Sequence, residues 1–187
     1  MEEPAVTQKT RRLLNSKEID RTLARIAHEI VEKCKGTTDL CLVGIRTGGV
    51  PLASRLRKKI REIEGTAPDL GILDITLYRD DWSMLSQHPI VRSTDIPFSI
   101  DGKVIVLVDD VIYTGRTIRA ALDALIDYGR PGKIELAVLV DRGRRELPIQ
   151  PDFTGISLST SRDEHVNVYL EEIAGRDEVL IEKADNG

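Results

Sequence analysis

The segment VIVLVDDVIYTGRT, from Val104 to Thr117, constrains the fold more than any other part of the chain. Its apolar run predicts a strand buried on both faces, and a glycine-containing turn then leads into an amphipathic helix over residues 114–128. A second apolar run, Ile134 to Val140, predicts another strand directly after this helix. This alternation predicts an α/β fold with right-handed crossovers and a mainly parallel central sheet flanked by helices.

The sequence on either side extends the same alternation. Asn15 and Glu18 have the spacing of a capping box, which predicts a helix over residues 17–35, preceded by an arm or first strand over about 1–14. The polar, proline-containing stretch over 79–97 is longer than an ordinary connection, which is typical of a lid. The remaining predicted elements are strands over 103–108, 40–44, 69–78, 166–170 and 179–181 and a helix over 51–64.

Composition favours one soluble domain over residues 1–187. The net charge of −4 gives no global attraction to nucleic acid, so basic residues matter only where they cluster. The apolar runs are far shorter than the roughly 20 residues that span a bilayer, and the N-terminus lacks the apolar stretch of a secretion signal. We therefore expect a cytoplasmic location, in which Cys34 and Cys41 are reduced core thiols.

The Val104 to Thr117 segment also indicates a chemistry. Backbone N–H groups at the turn and the positive end of the following helix dipole favour a phosphate, and the hydroxyls of Thr114 and Thr117 add donors. Asp109 and Asp110 suit the vicinal hydroxyls of a ribose and the water shell of a Mg²⁺ ion. An Asp pair alone would more often cap and solvate the end of a strand, but the phosphate turn that follows it favours a ribose-phosphate site.

This segment resembles the 5-phosphoribosyl-1-pyrophosphate (PRPP) motif of the type I phosphoribosyltransferase family. The segments LDITLYRDD, DIP and LAVLVDRGRRELPI narrow the resemblance to the branch whose members regulate pyrimidine operons by attenuation and also have uracil phosphoribosyltransferase activity. The similarity extends from about residue 15 to 182. It implies the type I phosphoribosyltransferase fold, with a small hood formed from about residue 141 to 182.

The resemblance implies a role for each part of the motif. Asp109 and Asp110 would bind the ribose hydroxyls and, indirectly, a Mg²⁺ ion held with PRPP or pyrophosphate. The 5-phosphate would bind to Tyr113, Thr114, Gly115, Arg116 and Thr117.

The turn IRTGGVP would be the pyrophosphate loop, where Arg46 and free backbone N–H groups can hold the leaving group. In isolation the same sequence also fits a plain Gly-Gly turn. The substrate-binding residues implied here are Arg46, Thr47, Gly48 and Gly49. Gly48 stands where the family usually has arginine, so we expect weaker pyrophosphate binding than in most members.

Two further segments would complete the active site. The long loop with Tyr78, Arg79, Asp80 and Asp81 resembles the flap that closes over PRPP, which implies catalytic roles for Arg79 and Asp80 beside the Asp pair. A surface ion pair between Arg79 and Asp80 is the alternative. In the hood, Asp141 and Arg142 are the candidates for binding the uracil edge.

The resemblance also implies a regulator that binds the leader mRNA of a pyrimidine operon with UMP or UTP bound. Its RNA surface would include Arg25, His28, Lys33 and Arg144, with Arg145 as a further phosphate contact. Equally, Arg25 and Lys33 would pair with Glu29 and Glu32 along their helix. Basic residues that members often carry near Gln150 and Ile156 are absent, which reduces the local positive charge.

Three functional hypotheses remain open at this point. The chain is a uracil phosphoribosyltransferase that also binds RNA, an enzyme without RNA regulation, or a nucleotide-sensing regulator with negligible turnover. In the enzyme, uracil would attack C1 of PRPP as pyrophosphate leaves, without a covalent enzyme intermediate. The DRGRRELP segment disfavours a purine or orotate substrate, and the family implies a homodimer or higher homo-oligomer.

Overall fold

The structure, a computed structural model, describes residues 10–79, 93–161 and 163–183. Strands and helices alternate through the first two thirds of the chain, and short strands dominate the rest. In chain order the elements are β1 (Thr10–Asn15), α1 (Ser16–Cys34), β2 (Leu40–Ile45), α2 (Gly49–Glu64), β3 (Asp69–Leu73), β4 (Val104–Ile112), α3 (Arg116–Ile126), β5 (Lys133–Asp141), β6 (Phe153–Ser157), β7 (Glu164–Tyr169), α4 (Glu171–Ala174) and β8 (Glu178–Lys183).

A five-stranded parallel sheet in the order β3-β2-β4-β5-β6 forms the centre of the molecule. The predicted α/β fold with a parallel sheet is thus confirmed. Strand β4 occupies the middle position and pairs with β2 on one side and β5 on the other. A second, antiparallel sheet in the order β1-β8-β7 joins the N-terminal strand to the last two strands.

Apolar side chains of the central sheet pack on both faces, which explains why its strands read as continuous apolar runs. In β4, Val106 and Val108 face the core beneath α1 and α2, whereas Ile105 and Leu107 face the core beneath α3. Each fully buried side chain of this size contributes about 1.5–3 kcal/mol. The centre of the sheet is therefore a stable base for the residues at its edge.

The predicted start of α1 is confirmed in detail. The Asn15 side chain accepts a hydrogen bond from the Glu18 amide, and the Glu18 carboxylate accepts one from the Asn15 amide. This capping box satisfies two backbone donors at the junction of β1 and α1. It places α1 directly after the strand that pairs with β8.

Two predicted strands end far from their predicted boundaries, and one strand of the central sheet was not predicted. Strand β3 ends at Leu73, because the Asp74 carboxylate accepts from the Thr76 amide and starts a 3₁₀ turn over Thr76–Tyr78. Strand β4 continues to Ile112, since its pairing with β5 extends past the Asp pair. Strand β6, which the sequence analysis did not predict, adds the last position of the parallel sheet.

Both cysteines are free thiols, as predicted. Burial raises the pKa of each to about 11. None of the helices in the described ranges is long and apolar enough to cross a membrane.

Candidate active site

Asp109 and Asp110 lie near the carboxyl end of β4, the edge at which parallel α/β sheets bind ligands. Asp109 is only 5% exposed, and its carboxylate accepts the Asp110 amide at 3.0 Å. Asp110 accepts the Val111 amide at 2.8 Å. Among the described residues, no lysine or arginine forms an ion pair with either carboxylate.

Burial is the main influence on the ionisation of this pair. It raises the pKa of Asp109 well above its ordinary value, and the neighbouring Asp110 charge raises it further. Burial also raises the pKa of Asp110, although the hydrogen bonds from Asp109 and the Val111 amide partly offset this effect. Two carboxylates held in this way gain from a ligand that donates hydrogen bonds to them.

The turn between β2 and α2 packs directly against the Asp pair. A Cβ atom at Gly49 would lie 2.1 Å from the Val108 carbonyl oxygen, and one at Gly48 would lie 2.2 Å from an Asp110 carboxylate oxygen. Gly49 is therefore needed for this close approach to the backbone of β4, whereas a side chain at position 48 would require the Asp110 carboxylate to move. The Asp110 carboxylate occupies the space that a side chain at position 48 would fill, which is a physical reason for glycine in this arrangement.

Arg46, in the same turn, has donors available to a ligand. Its buried Nε finds no acceptor within the described parts of the chain, and its Nη2 lies 3.4 Å from the Ser93 carbonyl oxygen. An unsatisfied buried donor costs about 1–3 kcal/mol. The peptide bond between Arg46 and Thr47 is cis, and Thr47 is exposed.

The turn after β4 surrounds a small cavity of about 140 Å³, lined by residues 111–115 with Thr117 and Ile118. Gly115 has φ +92°, a conformation that favours glycine, and precedes α3 as its N-cap. The amides of Thr114, Gly115, Thr117 and Ile118 have no acceptor among the described residues. The cavity is therefore suited to bind a phosphate.

Two carbonyl groups of this turn accept hydrogen bonds from the hood segment that follows β5. The Thr114 carbonyl accepts from the amides of Glu146 and Leu147, and the Tyr113 carbonyl accepts from the Arg145 guanidinium. The Arg116 side chain pairs with Glu146. These contacts link the turn after β4 to the hood segment.

A cleft of about 310 Å³ is lined by Asp141, Gly143, Ser157, Leu158 and Ser159. Asp141 pairs with Ile112, which lines the cavity after β4. The sequence analysis identified Asp141 but missed residues 157–159. They lie at the end of β6 and directly after it, and the pairing of β6 with β5 brings Ser157 beside Asp141. No local motif marks them, although recognition of β6 as a sheet strand would have done so.

The side chain of Arg142 is buried and bonded to other protein groups, so it does not reach the cleft as a free donor. Its guanidinium is buried, donates to the Thr160 hydroxyl and the Glu164 carbonyl, and stacks 4.1 Å from the centre of the Tyr113 ring. It connects the phosphate turn to β7. Its assignment to uracil binding stays a prediction, and the contacts described here are structural.

The flap residues are described only in part. Tyr78 donates from its hydroxyl to Asp127 at the end of α3, and Arg79 is exposed at the end of the 3₁₀ turn. Asp80 and Asp81 lie outside the described residues. The predicted lid over 79–97 therefore stays a prediction.

The predicted RNA-binding residues lie on α1 and in the hood. Arg25 pairs with Glu29 and donates to the carbonyls of Thr154 and Gly155 in β6. Lys33 pairs with Asp152 at 2.7 Å and with Glu135 at 3.2 Å.

His28 and Arg144 are both exposed, and Arg144 has φ +54°. The Arg145 side chain instead turns inward, and only 11% of its surface is exposed.

Mg²⁺ binding at the Asp pair would need oxygen ligands from a substrate as well. No group of three or more His, Cys, Asp or Glu side chains in the described ranges is arranged to hold a metal ion. Mg²⁺ takes six oxygen ligands and keeps several waters, so two carboxylates suit it only when a substrate supplies oxygens as well. The residues present fit an ion that arrives with pyrophosphate.

Comparison with known proteins agrees with this geometry. Residues 9–172 match the model of the phosphoribosyl transferase domain family. The chain is 60% identical over 169 residues to the bifunctional protein PyrR of Pelotomaculum thermopropionicum, covering 90% of this chain and 93% of that protein. It is 61% identical over 167 residues to that of Thermus thermophilus, covering 89% and 92%.

Solved structures show the same fold at lower identity. The hypoxanthine phosphoribosyltransferase of Trypanosoma cruzi superposes with a TM-score of 0.71 at 18% identity, covering 94% of this chain and 97% of that one. A hypoxanthine-guanine phosphoribosyltransferase of Bacillus anthracis gives 0.68 at 16% identity, covering 92% and 97%. This chain therefore has the type I phosphoribosyltransferase fold and belongs to the PyrR family of phosphoribosyltransferase-domain proteins.

Proposed function

We propose that this protein transfers the phosphoribosyl group of PRPP to uracil, giving UMP and pyrophosphate. One observation carries the proposal: the amide-lined cavity after β4 and the cleft of the hood lie at the ends of two paired strands, since Ile112 in the wall of the cavity pairs with Asp141 in the wall of the cleft. The Asp pair directly precedes Val111, which also lines the cavity. A nucleoside monophosphate has its phosphate, ribose and base in this order. Membership of the PyrR family supports uracil as the base.

The residues would act by positioning and electrostatics. Asp109 and Asp110 would accept hydrogen bonds from the ribose hydroxyls, while the Arg46 donors and the turn amides hold pyrophosphate and the 5-phosphate. A bond forms between N1 of uracil and C1 of the ribose, the bond from C1 to the pyrophosphate oxygen breaks, and N1 loses its proton. A bound Mg²⁺ would neutralise charge on the leaving pyrophosphate. The flap would exclude water from the ribosyl centre.

We also propose that the protein is a cytoplasmic regulator that binds pyrimidine leader mRNA when UMP or UTP is bound. The PyrR relatives, named as bifunctional proteins, support this second role. Of the four predicted RNA-binding residues, the exposed Arg144 is the best placed cation for phosphate contacts, because Arg25 and Lys33 already pair with acidic groups. The exposed His28 can contribute a hydrogen bond. A homodimer would present two copies of this surface.

The glycine at position 48 favours a protein whose main role is regulation and whose catalytic rate is low. The pyrophosphate loop offers one arginine, Arg46, and position 48 has no room for a second without displacing Asp110. We expect a slow enzyme rather than an inactive one.

The first prediction concerns turnover. The wild-type protein should form UMP from uracil and PRPP in the presence of Mg²⁺. The Asp110→Asn variant should bind PRPP at least about tenfold more weakly, because a hydrogen bond to a charged group is lost. Product formation followed by chromatography and PRPP affinity measured by calorimetry test this. Asp39→Asn, an exposed change at the opposite edge of the sheet, is the control. Unchanged PRPP affinity in Asp110→Asn would contradict the ribose assignment.

The second prediction concerns stability. Because burial raises the pKa of Asp110, the native state holds the proton more tightly than the unfolded state, so stability falls as pH rises from about 4 through the native pKa. Asp110→Asn removes this charge and should increase the free energy of unfolding at pH 7, with a smaller gain near pH 4. Urea denaturation at the two pH values measures the difference. A loss of stability at pH 7 would show that the carboxylate is stabilised in the native state.

The third prediction concerns RNA. A gel shift of a pyrimidine-leader hairpin should show retention that requires UMP, and Arg144→Gln should weaken it about tenfold and reduce its salt dependence. Lys33→Gln should have a smaller effect, because Asp152 and Glu135 already neutralise Lys33. Retention that is independent of UMP, or equal losses in the two variants, would count against this surface.

A further inference from the structure

Arg145 lies between the phosphate turn and the base cleft and contacts both. Its Nη1 donates to the Tyr113 carbonyl at 3.0 Å, and its Nη2 donates to the Asp141 carboxylate at 2.8 Å. Its Nε donates to the Ile149 carbonyl at 2.7 Å, and further bonds go to the Gly143 carbonyl and the Gln150 side chain. One guanidinium therefore joins the end of β4, the end of β5 and the hood segment.

The arrangement depends on the shape of the guanidinium. Arginine offers five N–H donors in a rigid plane, so it can hold several acceptors in a fixed geometry. A lysine ammonium offers three donors on a flexible stem, and glutamine offers two. Neither could reach the Tyr113 carbonyl, the Asp141 carboxylate and the Ile149 carbonyl together.

Arg145 also determines how Asp141 is held in the wall of the cleft. One oxygen of Asp141 accepts the Gly143 amide at 2.8 Å, and the other accepts Arg145. Burial acts to raise the pKa of Asp141, but these hydrogen bonds outweigh it and hold the pKa below its ordinary value. The carboxylate thus shapes the turn over residues 141–143, which lines the cleft.

We propose that Arg145 is a positioning residue that fixes the phosphate turn relative to the base cleft. This inference rests on the proposed function, because it needs one ligand that occupies both parts of the site. A ligand that spans them gains from a preformed spacing, whereas a ligand that occupies the phosphate turn alone does not. The inward contacts also distinguish Arg145 from the exposed Arg144 beside it.

The test compares two ligands by calorimetry. UMP spans the phosphate turn and the cleft, while ribose 5-phosphate lacks the base. Arg145→Gln should weaken UMP binding about tenfold and ribose 5-phosphate binding less than about twofold, because only UMP uses the fixed spacing. Arg130→Gln makes the same change of charge at the opposite edge of the sheet and should alter neither affinity. Arg145→Lys keeps the charge but not the fork, so its UMP affinity should fall between those of the wild type and Arg145→Gln.

Each outcome decides the proposal. Equal losses for the two ligands, or no loss of UMP affinity, would overturn it, since a purely structural role does not separate them. If Arg145→Gln does not fold, Arg145→Lys decides, and its loss of UMP affinity must exceed its loss of ribose 5-phosphate affinity by at least about threefold. A wild-type protein that binds ribose 5-phosphate but not UMP would overturn the proposed function, and this inference with it, before any variant is measured.

Discussion

The burial of two adjacent carboxylates at the end of the central strand is the constraint on which the site depends. Strand β4 is paired on both sides and covered on both faces, so Asp109 and Asp110 are held by a rigid element. Because no described cation compensates them, their charge favours a ligand that donates hydrogen bonds or brings its own cation. The glycines of the turn between β2 and α2 let that turn approach the same point.

Local sequence patterns predicted the parts of the fold that depend on local interactions. The capping box at Asn15, the buried strands β2, β4 and β5 and the phosphate turn all follow from residues close together in the chain. The prediction was wrong where side chains or distant pairing set a boundary. Asp74 ended β3 early through its own hydrogen bonds, and pairing with β5 carried β4 past the Asp pair to Ile112.

The cleft beside Asp141, where we propose that the base binds, was harder to predict because distant segments build it. Residues 157–159 reach the cleft through the pairing of β6 with β5, and β6 has no strong pattern of its own. Arg145 was assigned to RNA from its charge, yet its contacts face the carbonyls and the carboxylate of the site. Sequence identifies such an arginine, but only the fold shows its acceptors.

The central claim is that one site holds a uridine nucleotide with its phosphate in the turn after β4 and its base in the hood cleft. A crystal structure with UMP tests it most directly. The account predicts the phosphate on the amides of residues 114–118, the ribose hydroxyls on Asp109 and Asp110, and uracil between residues 141–143 and 157–159. A phosphate bound elsewhere, or a base outside this cleft, would contradict it.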